Sequence, residues 1–387
     1  MKTLQLVPAM EQGGVERGVV EVNRALVAAG WENVVVSSGG RLVEQIAADG
    51  GRHIEMDVKS KNPLTCVSRA LRLRRILSSE RPDVVCAHSR VPAWLFVMAS
   101  RGLGLKWMTF AHGANSVSWY SRVMTFGDLV VTPSRFIADY LKENYGLPDE
   151  RIRVIPRAID RRKFDVEGLD GDFIATKRKE WGVDGKLVVM GVGRITQLKG
   201  YDMLIRAVVK ANAIAMSEAS SDPHGIKPFK LVIVGEAEQA RKGVEDGLHA
   251  LVESLAANGD VVFAGNQRKI AECVSMANVV VSSNTRKPEA FGRSMAESIA
   301  MGTPVVAKGF GGALDIVEDG VNGVLVPSGV DCGDESDAFA EAIVKVSRMR
   351  FGDLRSAALK KFSFDLMIER TMAAYSELAG PGGSRST

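Results

Sequence analysis

The chain has 387 residues, of which 46% are hydrophobic, 25% charged and 6% aromatic, and it carries a formal net charge of +4. At roughly 100–200 residues per domain this length predicts two domains, each able to bury its own core, and the composition excludes disordered, collagenous and coiled-coil chains. Four scattered cysteines without a C-x-x-C pair speak against a zinc site or a disulfide framework, no apolar run reaches about 18 residues, and Glu11 follows too soon for a signal peptide, so a cytoplasmic protein is expected.

Short apolar runs alternate with amphipathic stretches of helical length, the pattern of parallel α/β sheets. In the first half strands are expected at residues 3–8, 33–37, 83–87, 107–111, 129–132 and 153–156. A second series falls at 187–191, 231–234, 261–264, 279–282, 304–307 and 324–326. Each series opens with a buried strand running into a glycine loop, Gly13-Gly14 in the first and residues 191–200 in the second. The sequence therefore predicts two similar three-layer domains, residues 1–165 and 180–360. A C-terminal segment, 361–380, carries a helix expected to pack back on the first domain, and 381–387 reads as a frayed tail. Ligands of open parallel sheets sit at the carboxyl ends of the strands, so two such domains facing one another would hold a ligand in the cleft between them.

Charge is unevenly distributed. Residues 1–170 hold 24 basic and 19 acidic side chains, a balance of +5, and the remainder balances at −1. The excess gathers in Lys59, Lys61, Arg69, Arg72, Arg74 and Arg75, with no acid between positions 58 and 79. Val67, Ala70, Leu71, Ile76 and Leu77 give the same segment an apolar side. A basic amphipathic helix of this kind suits an anionic membrane surface, reached through Arg69, Arg72, Arg74 and Arg75, or an ordinary surface helix packed on the first sheet.

Two segments carry chemistry. In Pro288-Glu289-Ala290-Phe291-Gly292-Arg293-Ser294-Met295-Ala296-Glu297 a loop follows an expected strand and opens a helix. Amides at a helix start favour a bound phosphate, and Gly292 lets the backbone approach it. Glu289, in the loop, and Glu297, expected about two turns into the helix, would bracket that phosphate with acceptors for sugar hydroxyls. The competing reading is one helix-capping and one solvated glutamate. In Gly191-Val192-Gly193-Arg194-Ile195-Thr196-Gln197-Leu198-Lys199-Gly200, Thr196 breaks the dinucleotide fingerprint and the G-K-[ST] ending of a Walker loop is missing. What remains is a pair of cations, Arg194 and Lys199, at a strand's carboxyl end, able to neutralise a diphosphate. His53, His88, His224 and His249 read as structural, Tyr140 and Tyr145 as packing residues, and Asp170-Gly171-Asp172 as a solvated loop rather than a metal motif.

Taken together, GRITQLKG (193–200), EAFGRSMAE (289–297) and MGTPVVAKGFGGALDIVEDGVNGVLV (301–326) resemble the donor domain of family 4 retaining glycosyltransferases, as found among bacterial lipopolysaccharide and glycan-assembly enzymes. GGVER (13–17), His112-Gly113 and VTPS (131–134) agree in the first half. The resemblance implies the GT-B fold: two facing Rossmann-like α/β domains with the ligand between them. It implies that Arg194 and Lys199 bind the donor diphosphate, that Glu289 contacts the transferred sugar and that Glu297 holds the ribose. Gly193, Ala290, Phe291, Gly292, Arg293 and Ser294 would meet sugar and phosphates through the backbone, and Gly265 would face the base. His112 would lie near the sugar, and Gly14 near the phosphate or acceptor.

The implied partners are a nucleotide-sugar donor and a glycan or lipid-linked acceptor, with no nucleic acid, and a cytoplasmic location, peripheral on the inner face of the membrane. No cofactor is implied and no metal, because fixed cations and a helix start can stabilise the departing diphosphate. Other readings are a GT-B nucleotide-sugar epimerase and a silent nucleotide-sugar-binding protein. The chain departs from the family at Arg157-Ala158-Ile159-Asp160, where N-G-V-D is frequent, and at Asp315, where many members have Glu.

Overall fold

The computed structural model describes residues 1–11, 13–219, 227–238, 242–284, 286–328 and 335–380. His224 and the tail expected at 381–387 lie outside the described residues. The chain divides into two compact units, one built from residues 1–157 together with the segment from Phe364, the other from Ala158–Ser363.

The first unit is a seven-stranded parallel sheet in the order β3-β2-β1-β4-β5-β6-β7. Its strands are β1 (Lys2–Leu6), β2 (Glu32–Ser37), β3 (Arg52–Glu55), β4 (Val84–Ala87), β5 (Lys106–Phe110), β6 (Leu129–Thr132) and β7 (Ile152–Val154). The second unit is a six-stranded parallel sheet, β10-β9-β8-β11-β12-β13, of β8 (Leu187–Val192), β9 (Phe229–Val234), β10 (Val261–Gly265), β11 (Val279–Ser282), β12 (Val305–Lys308) and β13 (Gly323–Val326). All twelve expected strands are present. β3 was not foreseen, because Arg-His-Ile-Glu has no apolar run; it is an edge strand, where charged ends protect an open rim.

The domain limits differ from expectation. Residues 158–165 belong to the second unit, where Ile159 and Phe164 are buried in its core and the Ile159 amide donates to Phe362 O at 3.0 Å. Arg355 fastens the same segment, donating to the carbonyls of Phe164 and Ala300 at 2.9 Å each. Asp170 is not in a solvated loop: it caps helix Gly171–Trp181, accepting from Phe173 N at 3.0 Å, and pairs with Lys269. Helix Phe364–Ala379 lies in the first unit, where the buried ring of Tyr375 meets Trp31 edge-on at 6.4 Å.

The alternation Thr3-Leu4-Gln5-Leu6 gives β1 two different faces. Leu4 and Leu6 join Val34, Val36, Val85, Leu73 and Phe96 in one apolar cluster. Thr3 and Gln5 point the other way and are equally buried, so they must find partners inside the protein. Asn33 Oδ1 accepts from Thr3 Oγ1 at 2.8 Å and from Gln5 Nε2 at 3.3 Å. Asn33 Nδ2 donates to Asn23 Oδ1 at 2.8 Å, and Asn23 Nδ2 to Ile46 O at 3.2 Å. Gly51 is required beside this chain, since a Cβ there would lie 2.0 Å from Asn23 Oδ1.

Asn33→Ala would leave two buried polar groups, Gln5 Nε2 and Asn23 Oδ1, unpartnered, and Thr3 Oγ1 with only Glu32 O at 3.4 Å. Denaturant titration should show a loss of about 2–3 kcal/mol, the cost of stranding such groups; an unchanged unfolding midpoint would contradict this account of the row.

Candidate functional site

In the second unit, the carboxyl ends of β9 and β11 hold the 193–200 loop in place. Gly193 N donates to Val234 O at 2.9 Å, Ile195 N to Glu236 O at 3.0 Å, and Ser283 Oγ to Lys199 O at 2.6 Å. Gly200 has φ of 62°, and a Cβ there would lie 2.1 Å from Ser283 O, so only glycine lets the loop sit down on the end of β11. The buried Tyr201 hydroxyl donates to Gly193 O at 3.0 Å. Its phenol is pushed well above its ordinary pKa by burial, and next by the Glu289 carboxylate.

The second motif is set in the same way. Gly292, at φ of 96°, is the turn from which helix Arg293–Ala300 begins. Gly312 N donates to Glu289 O at 2.8 Å, and a Cβ on Gly312 would lie 2.4 Å from Phe291 O. The Phe291 ring is buried in the core, edge-on to Phe362 at 5.6 Å, so this residue can offer a ligand only its backbone. Ala290 and Ser294 are half-buried, and Gly265 ends β10 at φ of 64°, accepting from Gly235 N at 2.9 Å.

The folding of these loops brings together groups 90 positions apart in the chain: Lys199 Nζ donates to Glu289 Oε1, with both side chains largely withdrawn from water. Glu297 is 14% exposed and pairs with Arg293 at 3.1 Å. Neither glutamate is a solvated surface residue or a side-chain cap of the helix. Glu297 is the fifth helical residue, little more than one turn in, because the helix starts only after Gly292. Arg194 is 74% exposed and pairs with Glu238. The sequence reading missed Glu238, Tyr201 and Asn284, whose buried Oδ1 has no partner among the described residues. A polar residue next to the Ser283 strand end was the available signal. Lys199, Glu289, Glu297 and the first amides of a helix thus offer a cation, two carboxylates and N–H donors at one end of one sheet, the complement of a phosphorylated sugar.

In the first unit, His88 follows β4 and His112 follows β5, and their rings stack at 5.3 Å. His88 Nδ1 and His112 Nε2 are 3.1 Å apart, His88 Nε2 faces Gln5 Oε1 at 3.0 Å, and Arg157 Nη2 meets His112 Nδ1 at 2.6 Å. Burial, and then the Arg157 charge, lowers the His88 pKa from 6.5 to about 3 and holds His112 well below the usual range. Both rings are neutral at pH 7. They wall a cavity of about 380 Å³ with Lys59, Lys61, Arg90, Glu16 and Tyr120. Gly14 begins helix Gly14–Ala28 beside Val15 and Glu16, which also line that cavity. Tyr140, donating to Asn115 O, and Tyr145, accepting from Ser118 N at 3.3 Å, hold the loop that follows His112. His53 bonds Ser37 Oγ at 2.8 Å, and His249 packs on Phe263 at 4.0 Å.

The basic segment is used differently from expectation. Arg69 is buried and donates to the carbonyls of Ser60, Asn62 and Thr65 at 2.9, 3.1 and 3.3 Å. Arg72 donates to Glu55 O at 2.9 Å, and Arg74 to Ala99 O at 2.9 Å and Arg101 O at 2.6 Å. These arginines fasten loops that carry too few apolar side chains to hold themselves down. Arg69 presents no charge to an outside surface, whereas Arg75 is exposed. No helix among the described residues is long and apolar enough to cross a membrane.

Residues 12–163 match the family Glycosyltransferase Family 4, and residues 173–360 match Glycosyl transferases group 1. The chain is similar to a D-inositol 3-phosphate glycosyltransferase of Acidothermus cellulolyticus, 32% identical over 65% of this chain and 54% of that protein. It is also similar to an uncharacterized glycosyltransferase of Methanocaldococcus jannaschii, 29% identical over 64% of this chain and 59% of that one. The chain thus spans little more than half the length of these curated relatives. Among solved structures, a glycosyltransferase from Rickettsia africae superposes with a TM-score of 0.83 at 25% identity, covering 98% of this chain and 99% of that one. Anabaena HepE in complex with UDP and glucose gives 0.75 at 20% identity, covering 97% and 100%, a likeness of fold alone.

The neutral histidines make a pH prediction. Below about pH 6.5 the unfolded chain takes up protons that the folded chain refuses, so stability falls as pH drops from 6.5 towards 5. His88 accounts for about 1.4 kcal/mol per pH unit of that slope. Denaturant unfolding at pH 7.5, 6 and 5 should show a shallower decline in His88→Gln than in the parent; equal slopes would refute the buried neutral state.

Proposed function

This chain belongs to the glycosyltransferase family, with a Family 4 domain followed by a group 1 domain in the GT-B fold, and we propose that it moves a sugar from a nucleotide-sugar donor to a glycan or lipid-linked acceptor. The observation that carries this reading is the Lys199–Glu289 pair, which joins the two donor motifs at one sheet end. On binding, the donor diphosphate takes Lys199 from Glu289 and leaves the carboxylate to accept from hydroxyls of the sugar. Arg194 is drawn to the same phosphates from Glu238, since an exposed pair of this kind is worth only about 0–1 kcal/mol. Amides of residues 291–294 at the start of helix Arg293–Ala300 and the two cations then meet the charge that develops on the leaving diphosphate, and no metal ion enters the scheme. Glu297 accepts from the ribose hydroxyls. Retention of configuration is proposed on the family resemblance.

The acceptor side of the reading rests on the first unit. Three cations, Lys59, Lys61 and Arg90, face the cavity against the single carboxylate of Glu16, with both histidines uncharged. The acceptor accordingly bears an anionic group, phosphate or carboxylate; relatives named for D-inositol 3-phosphate are in line with this. A lipid-linked acceptor of lipopolysaccharide type, met at the cytoplasmic face of the membrane, is supported by Leu64, Val67 and Leu71, which are 90%, 68% and 54% exposed and follow one helical stripe, with the exposed Arg75 beside them.

Calorimetric titration with nucleoside diphosphates tests the donor assignment. Glu297→Ala should bind about 10-fold more weakly, and Arg194→Ala should bind within a few-fold of the parent yet turn over a matched sugar donor about 100-fold more slowly. Unchanged affinity in the Glu297 variant would remove the ribose assignment. Failure to transfer sugar from any uridine-, guanosine- or adenosine-linked donor would overturn the function itself.

A further inference from the structure

The buried polar row of the first sheet and the two histidines at its carboxyl edge form one unbroken chain of hydrogen bonds. Arg157 Nη2 meets His112 Nδ1, His112 Nε2 meets His88 Nδ1, His88 Nε2 meets Gln5 Oε1, and Gln5 Nε2 meets Asn33 Oδ1. Asn33 Nδ2 continues to Asn23 Oδ1, and Asn23 Nδ2 ends on Ile46 O. The direction of every link is fixed by the two ends. A guanidinium has donors only and a main-chain carbonyl only an acceptor, so each group between them must accept on the Arg157 side and donate on the Ile46 side. His112 is thereby held with its proton on Nε2 and a lone pair on Nδ1, and so is His88.

Arg157 is itself placed with care. Its guanidinium lies 5.0 Å from the Phe110 ring centroid, and Phe110 stacks on His112 at 4.4 Å. Gly18 leaves the room: a Cβ there would lie 2.8 Å from Arg157 Nη1.

We propose that Arg157 is a positioning residue for sugar transfer: through this directed chain, anchored at its far end by Gln5 and Asn33, it fixes the tautomer and ring orientation of His112, which walls the first-unit cavity. The proposal rests on the transferase reading given above. His112 uses both ring nitrogens within the protein, so it acts by shape and by a settled dipole, as a wall against which the substrate is aligned. Removing one end loosens the chain while the other still sets its direction; removing both frees the imidazoles to exchange tautomers and to tilt.

Nitrogen-15 NMR of the full chain, labelled at histidine, reads the tautomer without any activity assay. At pH 7 the expected spectrum has His112 and His88 neutral and protonated at Nε2. Arg157→Met combined with Gln5→Leu should turn the His112 signals into those of a tautomer mixture, whereas Gln5→Leu alone, which leaves Arg157 donating to His112 Nδ1, should keep the parent tautomer. A His112 protonated at Nδ1, or on both nitrogens, in the parent chain would overturn the proposal, even where sugar transfer is normal. Steady-state transfer assays provide the second readout. Arg157→Met should lower kcat about 10-fold with donor KM nearly unchanged, and Gln5→Leu should lower it less. Because either end alone still sets the direction of the chain, the double variant should fall further than the product of the two single effects. Effects that merely multiply would show that each residue supports the fold separately, and would refute the proposal. Gly18→Ala guards against variants that fail to fold. Alanine favours the helix, so its melting temperature should not fall, yet its methyl group displaces Arg157 and kcat should drop. A drop in melting temperature with unchanged kcat counts against the proposal. Absence of transfer by the parent chain from any donor would remove the transferase reading, and the NMR result would still decide the tautomer.

Discussion

An ammonium and a carboxylate that are both largely withdrawn from water must either find one another or find a ligand. Lys199 and Glu289 do the first in this structure. Their pairing depends on backbone that few residues permit: Gly200 pressed on Ser283 O, Gly292 opening a helix from a left-handed conformation, and Gly312 lying against the Phe291 carbonyl. Shift any of these and the two charges separate, each then lacking a partner in a poorly hydrated place, where removal of one member of an ion pair is costly. The arrangement is therefore stable in the free protein and yet ready for exchange, since a diphosphate supplies Lys199 with a stronger anion and a sugar supplies Glu289 with hydroxyl donors.

The two units use the same sheet for different electrostatics. In the second, charges are brought close together at the strand ends and the core behind them is apolar. In the first, the polar groups run back into the sheet, through Gln5, Asn33 and Asn23, and the imidazoles at the edge are kept uncharged. Under the proposed function, the fixed charges of the second unit serve a leaving phosphate, and the three cations at the first-unit cavity wall, Lys59, Lys61 and Arg90, serve an acceptor. The excess of positive charge in the first half is thus divided: part faces the cavity, and part, in Arg69, Arg72 and Arg74, is tied to loop carbonyls and serves structure.

Most of the fold was legible because its strands are short β-branched runs such as Val34-Val35-Val36 and Val279-Val280-Val281, buried on both faces. β3 was not, since an edge strand with charged ends has no such run. The 193–200 loop and the turn before helix Arg293–Ala300 were legible from Gly193, Gly200 and Gly292, whose positions along the chain coincide with the turns that need them. What the sequence could not display was pairing across distance. Nothing local to Lys199 points to Glu289, and nothing local to Arg157 points to His112; the basic stretch from 59 to 75 looked like a single patch until its partners were known. The one local hint of the polar row was Thr3 and Gln5 alternating with leucines in a strand expected to be buried.

The central claim, that Lys199 and Glu289 guard one another until a donor separates them, is tested most directly by nucleoside diphosphate affinity in two variants of that pair. Lys199→Met should weaken binding about 10-fold, because it removes a cation from the phosphates. Glu289→Gln should bind at least as tightly as the parent, having lost the carboxylate that competes for Lys199, while transferring sugar roughly 100-fold more slowly. Equal weakening of binding by the two substitutions would contradict the account.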